Sequence, residues 1–461
     1  MPKHFICLLS FFIVVRCAEE QPVSTTAFFG GQIIQPSSDF VSLYKYDQRY
    51  DSLPLDEQSR FAKKYDSLPF GLFKMEHLPE HQMVIIEPGD SIWARANMVD
   101  FNASLVFSGK GSAKNNFLVN TFLELQQEVR FLATKYATSS KVFSSLLDSL
   151  LNQKKQTWTD FDAQNNLSPL AQKITQAAFV YPYANRRERY ALIRGKEAVK
   201  KDSTYFNFRK FLNYGERDLV FFEPYINYMM SYLSQEALEE GQNFSLEKNK
   251  TSFNIRRIQL IDDRISNPVL RNTLARTVAY EELLNFQNHE EHERFLQFYL
   301  TLNTSPFFLN EILSLHQFLI QMEAGKSLSD VQIENNNGKI LSSREEFSGK
   351  PTVIYFWSQS QMNHYKRTQE RVKIYQKKYP NYRFVGICIQ PYNNLVRNYQ
   401  SIMDISPQDQ FALVDFEKVS KQWVITLLNK GIIINEKGII LEGFGNFFDS
   451  EFLKMLETTN Q

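Results

Sequence analysis

The sequence is poor in cysteine, and this scarcity excludes two ways of stabilising a fold. Among 461 residues the only cysteines are Cys7, Cys17 and Cys388. Cys7 lies in the apolar run at the N-terminus, so at most two cysteines remain once that run is removed. A framework of several disulfides is therefore excluded, and so is a zinc site that needs several thiolates at close spacing.

The chain also lacks an excess of charge of either sign. Lysine and arginine total 52 against 51 acidic residues, which gives a formal net charge of +1. Because no basic field is available to neutralise a phosphate backbone, nucleic acid is excluded as a partner. Hydrophobic residues make up 43% and aromatic residues 14% of the chain. This is the composition of a folded protein, and the length predicts two or three domains.

Long apolar runs without charges are missing after the N-terminus. Residues 5–15 (FICLLSFFIVV) follow a short segment that carries Lys3. The run is shorter than the ~20 residues that span a bilayer, so 1–17 is predicted to be a signal peptide and the protein to be exported. Cys17 leaves two interpretations open. It is either the lipid-modified first residue of a bacterial lipoprotein or the residue before an ordinary cleavage site, and Arg16 fits a lipoprotein signal poorly.

Three patterns follow one another along the rest of the chain. Residues 22–112 hold short apolar stretches between Pro, Gly, Asp and Ser clusters, which predicts a β-sandwich. Residues 113–325 show apolar stripes at helical spacing, which predicts an all-α segment. One such stripe, predicted to face the core, consists of Phe117, Phe122, Leu125, Val129 and Leu132. Prolines predicted to lie near helix starts are Pro182, Pro224, Pro268 and Pro306.

Residues 326–461 alternate strands and helices, with a β-α-β half followed by a β-β-α half, which is the thioredoxin layout. The stretches GKPTVIYFW (349–357), INEKG (434–438) and LEGFG (441–445) carry a resemblance to the TlpA-like, AhpC/TSA-related thioredoxin-fold proteins of bacterial envelopes. The whole chain resembles the Bacteroidetes version, in which a β-sandwich and a helical segment come first. The resemblance implies a multi-domain protein that ends in an α/β thioredoxin-like domain and resides in the periplasm or at the outer membrane.

Redox members of this family carry Cys-x-x-Cys where a strand meets a helix, starting four residues after a tryptophan. There the helix N-terminus lowers the pKa of the first thiol, and the second thiol resolves the mixed disulfide. After Trp357 these two positions fall on Gln361 and His364, which cannot form a disulfide. The family's cis-proline position falls on Asn429, and no proline follows Pro407. A non-proline cis bond costs ~2.5–4 kcal/mol, so we expect a trans peptide and a lost dithiol reaction.

Other candidates for chemistry have plainer interpretations. Cys388 lies in a predicted central strand, where it should be a buried small hydrophobic residue. Ser360 and His364 could form a nucleophilic pair, but no third orienting group is evident, so Ser360 is predicted to be a helix N-cap. His289 and His292 lack a third metal ligand, so a solvated charged helix face is favoured. We therefore predict no metal and no cofactor.

Three functions remain in competition at this stage. The favoured one is a non-catalytic envelope protein whose degenerate thioredoxin-like domain is a scaffold or a binding surface for an unidentified envelope protein or peptide. The second is a TlpA-like thiol-disulfide oxidoreductase or peroxiredoxin-related enzyme, which would need Cys388 to be reachable and nucleophilic. The third is a surface lipoprotein that handles a polymer or nutrient. It depends on a lipid at Cys17, which would be the protein's only membrane attachment.

Overall fold

The structure is a computed structural model that describes residues 25–200, 202–285, 289–359, 361–392 and 406–458. The predicted signal peptide (1–17), Cys17, Ser360 and the helix predicted over 393–401 lie outside these residues. Within the described ranges, no helix is both long enough and apolar enough to cross a bilayer.

The N-terminal part of the chain forms two four-stranded sheets. Its strands are β1 (Ala27–Ile34), β2 (Phe40–Lys45), β3 (Gln48–Pro54), β4 (Arg60–Tyr65), β5 (Gly71–His77), β6 (Glu80–Ile86), β7 (Ser91–Asn97) and β8 (Val106–Lys110). One sheet has the order β4-β1-β7-β8 and the other β3-β2-β5-β6. Buried and partly exposed residues alternate along β5, as expected for a strand with one face in a core. Phe29 and Ile92 of the first sheet share one apolar core with Phe73 and Val84 of the second.

The middle of the chain is helical. Its helices are α1 (Phe101–Ser104), α2 (Ser112–Ala133), α3 (Ser140–Asn165), α4 (Pro169–Arg194), α5 (Lys196–Lys200), α6 (Glu223–Ala237), α7 (Phe244–Glu247), α8 (Thr251–Arg264), α9 (Pro268–Leu284), α10 (His289–Leu302) and α11 (Pro306–Gln321). Two 3₁₀ turns, Tyr205–Phe211 and Arg217–Leu219, precede α6.

Serine caps and prolines explain where several of these helices begin. Ser168 accepts a hydrogen bond from the Ala171 backbone N–H at 3.0 Å, and a proline occupies the first turn of α4, α6, α9 and α11. The prediction of helix starts is confirmed for Pro224, Pro268 and Pro306. It is wrong for Pro182, which lies inside α4. Packing of α4 against its neighbours therefore outweighs the local cost of a proline within a helix.

The C-terminal part of the chain contains a seven-stranded sheet flanked by helices. Its elements are β9 (Gln332–Asn335), β10 (Ile340–Ser342), α12 (Ser343–Glu346), β11 (Thr352–Trp357), α13 (Met362–Lys378), β12 (Arg383–Cys388), β13 (Gln410–Leu413), α14 (Phe416–Gln422), β14 (Lys430–Ile434), β15 (Ile440–Asn446) and α15 (Ser450–Thr458). The strand order is β10-β9-β13-β12-β11-β14-β15.

The connections of this sheet give the thioredoxin layout. Strands β11 and β12 are parallel and joined through α13, whereas β14 is antiparallel to both β11 and β15, and α15 follows. Every residue of β11 is buried, as the apolar run TVIYFW requires of a central strand covered on both faces. The domain boundaries at 22, 113 and 326 remain predictions, because the elements alone do not define them.

The helical middle packs against both neighbouring parts. Its apolar core includes Ile85 of the sandwich and continues to Ile354 and Ile432 on one face of the C-terminal sheet. The other face of that sheet is covered by α13 and α15 through a separate cluster that contains Tyr365 and Phe452. The functional positions on the two sheet faces are therefore fixed by different sets of neighbours.

Candidate functional site

The predicted site positions lie where the parallel strands β11 and β12 end and α13 begins. Trp357 and Cys388, the last residues of these strands, are paired in register. The indole of Trp357 is fully buried and stacks on Tyr365 of α13, with ring centroids 3.9 Å apart. The ring of Tyr392 lies 6.1 Å from the indole on a nearly parallel plane. Stacked aromatic rings thus form the floor beneath the loop that joins β11 to α13.

Gln361 occupies the position that the family resemblance assigns to the attacking thiol. It is the N-cap residue of α13, its side chain makes no capping hydrogen bond, and it is exposed. Its backbone C=O accepts a hydrogen bond from the Tyr365 N–H at 3.1 Å. The helix begins at Met362, and Ser360, the residue predicted as its N-cap, lies outside the described residues. The helix N-terminus is present, but the side chain at its tip is a neutral amide.

His364 and Asn429, which the resemblance assigns to the second thiol and the cis-proline, contact each other directly. The imidazole Nε2 donates a hydrogen bond to the Asn429 Oδ1 at 2.9 Å. The Asn429 backbone C=O accepts from the Phe447 N–H at 2.7 Å, and the peptide bond before Asn429 is trans, as predicted. An imidazole that donates through Nε2 and is neutral presents Nδ1 as an acceptor. This Nδ1 atom is buried and receives no hydrogen bond within the described part of the chain.

Cys388 is shielded from solvent at the end of β12. Its exposed fraction is 0%, which confirms the prediction that it is buried. Burial raises the pKa of the Cys388 thiol to about 12, and hydrogen bonds from the Gln390 backbone and from Gln359 act in the opposite direction. The Nε2 of Gln359 lies 3.7 Å from the sulfur. The thiol is therefore neutral near pH 7 and is covered by an amide side chain.

Two glutamines, which sequence reasoning missed, connect the loop after β11 to the end of β12. The Gln390 Oε1 accepts hydrogen bonds from the Gln359 backbone N–H at 2.7 Å and from the Ser358 hydroxyl at 3.0 Å. The Gln359 side-chain amide donates to the Pro391 carbonyl. The signal for this pair was the placement of a polar residue just after each of two buried strands. These contacts fix the loop on the β12 side, as the contact between His364 and Asn429 does on the β14 side.

Lys430, directly after Asn429, is a second residue that the sequence analysis did not identify. Its side chain is 7% exposed, and its Nζ lies 5.0 Å from the centroid of the Phe444 ring. Burial lowers the pKa of Lys430 to about 7, and the negative charge of Glu442 acts in the opposite direction. The sequence signal was a lysine at the head of a strand otherwise made of glycine and isoleucine.

His292 of α10 does not lie on the solvated face that was predicted for it. His292 is 2% exposed, and its ring lies 6.3 Å from that of His316 on α11. The helical stripe rather than the charged neighbours of His292 therefore decides which way this residue points. Among the described residues, no group of three or more His, Cys, Asp or Glu side chains is arranged to hold a metal ion.

Comparisons with known proteins yield only structural similarities. No protein-family model matches the sequence, and no curated protein matches it. The thioredoxin domain of a thiol-disulfide oxidoreductase from Bacteroides vulgatus is 17% identical, with 30% of this chain and 99% of that chain covered and a TM-score of 0.26. An exposed lipoprotein thioredoxin from Streptococcus pneumoniae is 14% identical, with 28% and 99% covered and a TM-score of 0.23.

A thiol:disulfide interchange protein from a Bacteroides species is 14% identical, with 26% of this chain and 80% of that chain covered and a TM-score of 0.23. Identity and TM-score are low in all three cases. The assignment of a thioredoxin-like layout therefore depends on the strand order and the connections of the C-terminal sheet.

Proposed function

We propose that this is an exported envelope protein whose thioredoxin-like part has lost dithiol chemistry and acts as a scaffold or as a binding module for an envelope protein or peptide. The observation that carries the proposal is the state of Cys388. This residue is the only cysteine of the described chain, and its thiol is fully buried.

The pKa of Cys388 decides how far its thiol can act as a nucleophile. Thiolates, not thiols, attack disulfides. With a pKa of about 12, the thiolate fraction at pH 7 is on the order of 10⁻⁵. A disulfide substrate would in addition have to displace Gln359 to reach the sulfur. The low thiolate fraction and the shielding of the sulfur by Gln359 both oppose the alternative function, a TlpA-like thiol-disulfide oxidoreductase.

The surface around the site has the chemistry of a binding surface. Gln361 is exposed and offers both a donor and an acceptor. Leu427, two residues before Asn429, is 69% exposed. The Arg371 guanidinium lies 5.1 Å from the centroid of the Phe448 ring, which is itself 5.5 Å from the His364 ring. An exposed apolar residue close in sequence to the site, together with amide and cationic groups at the site, supports recognition of a peptide.

The redox part of the proposal is tested with an insulin-reduction assay driven by dithiothreitol. We expect the mature protein and its Cys388→Ser variant to match the uncatalysed rate. A variant that combines Gln361→Cys, His364→Cys and Asn429→Pro restores the family's motif and serves as the positive control, which should exceed that rate. Acceleration by the wild-type protein that disappears in Cys388→Ser would show that the thiol is reactive and would overturn the proposal.

Export and lipid attachment need a separate test, because residues 1–17 lie outside the described part of the chain. We expect the protein, expressed in a bacterial host, to lose an N-terminal segment of about the predicted length, as read by intact-mass analysis. A diacylglycerol-sized mass increase that Cys17→Ser abolishes would favour the lipoprotein interpretation. A full-length, uncleaved chain in the cytoplasmic fraction would contradict export.

A further inference from the structure

A groove of about 720 Å³ lies between α2, α4 and the first turn of α6, and part of β6 also lines it. We call it the α2–α4 groove. It lies far from the C-terminal site in sequence and shares no residue with it. The face that α4 turns toward the groove has helical spacing and consists of Ala178, Pro182, Asn185, Arg186, Arg189 and Ile193.

The wall supplied by α2 is an apolar stripe that is partly open to solvent, since Leu118 and Leu132 are buried but two other residues are not. Phe122 and Val129 line the groove and are 40% and 52% exposed. They belong to the stripe that the sequence predicted to face a core, and for these two residues that prediction is wrong. Exposed apolar side chains beside a cavity of this size suit a bound ligand, because ligand-binding pockets are lined mostly by apolar side chains.

Two polar groups of α4 in the groove lack partners. Arg186 is already bound, since it donates to Glu128 at 2.7 Å and to the Leu125 carbonyl at 3.1 Å. Arg189, one turn further on, is exposed and forms no ion pair with any residue that the structure describes. The Asn185 Oδ1 is buried and receives no hydrogen bond within the same described residues. The groove therefore offers one free cation and one acceptor that awaits a donor.

Pro182 interrupts the helical hydrogen bonds of α4 beside the groove. A proline has no N–H, so the carbonyl of Ala178, four residues earlier, loses its normal helical donor. Ala178, Pro182 and Asn185 all line the groove. The Asn185 Oδ1 is the acceptor on this face that receives no hydrogen bond within the described residues, and a ligand that supplies an N–H group would satisfy it.

The groove is lined by acidic as well as basic side chains. Glu80 of β6 and Glu223 of α6 both line it. Glu223 lies on the first turn of α6, which packs beside Tyr181 in the middle of α4 through Tyr225. Arg189 lies about two turns further along α4, so Glu223 and Arg189 are separated along the groove.

We propose that the α2–α4 groove binds a short apolar peptide with a free C-terminal carboxylate. Its side chains would pack on Phe122 and Val129, its carboxylate would pair with Arg189, and a backbone N–H group would donate to the Asn185 Oδ1. The ammonium group of the peptide would face Glu80 and Glu223. A fatty acid supplies the apolar body and the anion but no N–H donor, so a peptide fits the groups that line the groove better.

Isothermal titration calorimetry of the mature protein tests this with three probes: the tripeptide Leu-Phe-Leu, its C-terminal amide, and laurate. We expect the free tripeptide to bind, and the amide and laurate each to bind about tenfold more weakly. Arg189→Gln should weaken the free tripeptide about tenfold and leave the amide unchanged. Arg194→Gln, on the same helix but outside the groove, is the matched control and should change neither.

Val129→Arg places a charge on the exposed apolar wall and should abolish binding, while circular dichroism and the melting temperature report that the variant is folded. Three results would overturn the proposal. These are equal affinity for the acid and the amide, laurate binding at least as tightly as the tripeptide, and tripeptide binding that survives Val129→Arg in a folded protein. Absence of heat with the tripeptide up to about 1 mM would also overturn it.

Discussion

Lys430 buries an amine at the head of β14, next to Asn429. It shares its sheet face with Ile432 and Ile434, which belong to the core built with the helical middle. Burial lowers the pKa of Lys430 to about 7, against a usual value of 10.5, and Glu442 opposes this shift. The exposed fraction of 7% means that little solvent screening reduces the effect. We therefore predict that Lys430 makes the stability of the protein depend on pH.

The direction in which stability changes with pH follows from the protonation of Lys430 in the folded and unfolded states. Between pH 7 and pH 10.5 the unfolded chain binds a proton at Lys430 that the folded chain does not bind. The free energy of unfolding therefore rises with pH in this window, at about 1.4 kcal/mol per pH unit. From pH 6 to pH 9 the two pKa values give a gain of about 2.5 kcal/mol. The cost of burying the ammonium is fully present below pH 7.

Urea denaturation at pH 6, 7.5 and 9, followed by circular dichroism, measures this gain. Lys430→Met keeps the length of the side chain and removes the titration. We expect the stability advantage of this variant over wild type to shrink by about 2.5 kcal/mol from pH 6 to pH 9. Lys437→Met, in the exposed turn between β14 and β15, is the matched control and should follow wild type. Parallel pH curves for wild type and Lys430→Met would refute the reasoning.

Two further predictions concern stability and thiol access. Arg276 forms ion pairs with Asp47 of the sandwich hairpin at 2.8 Å and with Glu311 of α11 at 2.5 Å. Arg276→Gln should therefore lower the free energy of unfolding by about 2–4 kcal/mol in the same urea assay. Arg49→Gln breaks an exposed ion pair with Glu417 of α14 and should lower the free energy of unfolding by less than about 1 kcal/mol. Equal losses of stability in the Arg276 and Arg49 variants would contradict the argument that burial strengthens the Arg276 ion pairs. Cys388 should resist a maleimide at pH 7.5 until guanidinium is added, as read by mass spectrometry, and labelling of the native protein would show that the thiol is open.

Elements of the fold could be predicted where the sequence signal lies within a few residues of the element, and not where distant elements decide the outcome. The strand TVIYFW and the N-terminal turns of α6, α9 and α11 carry their signals within a few residues, and these elements were found. The periodicity of α2 showed which residues share a face, but it could not show what covers that face. Phe122 and Val129 were therefore assigned to a core although they line a groove. Pro182 was misplaced because helix packing, which is not local, outweighed the proline.

The candidate site shows the same limit. Spacing from Trp357 located Gln361 and His364, and the INEKG turn located Asn429, but their mutual contact depends on how β14 pairs with β11. No pattern in one sequence reports a contact across 65 residues. Lys430 was missed for a related reason. Its burial follows from the elements packed over the sheet and not from its own strand.

The amide groups around the site bear on what it can do. Gln359 and Gln390 close the β12 side of the loop, and His364 with Asn429 closes the β14 side. Each pair is buried or partly buried, so removal of one partner would leave the other unsatisfied at a cost of about 1–3 kcal/mol. For the proposed binding of a peptide, side chains that are already held by such contacts lose less conformational entropy when the ligand arrives. Amides and an imidazole donate and accept hydrogen bonds but do not exchange disulfides, so the side chains at these positions suit the proposed recognition of a peptide backbone better than disulfide exchange.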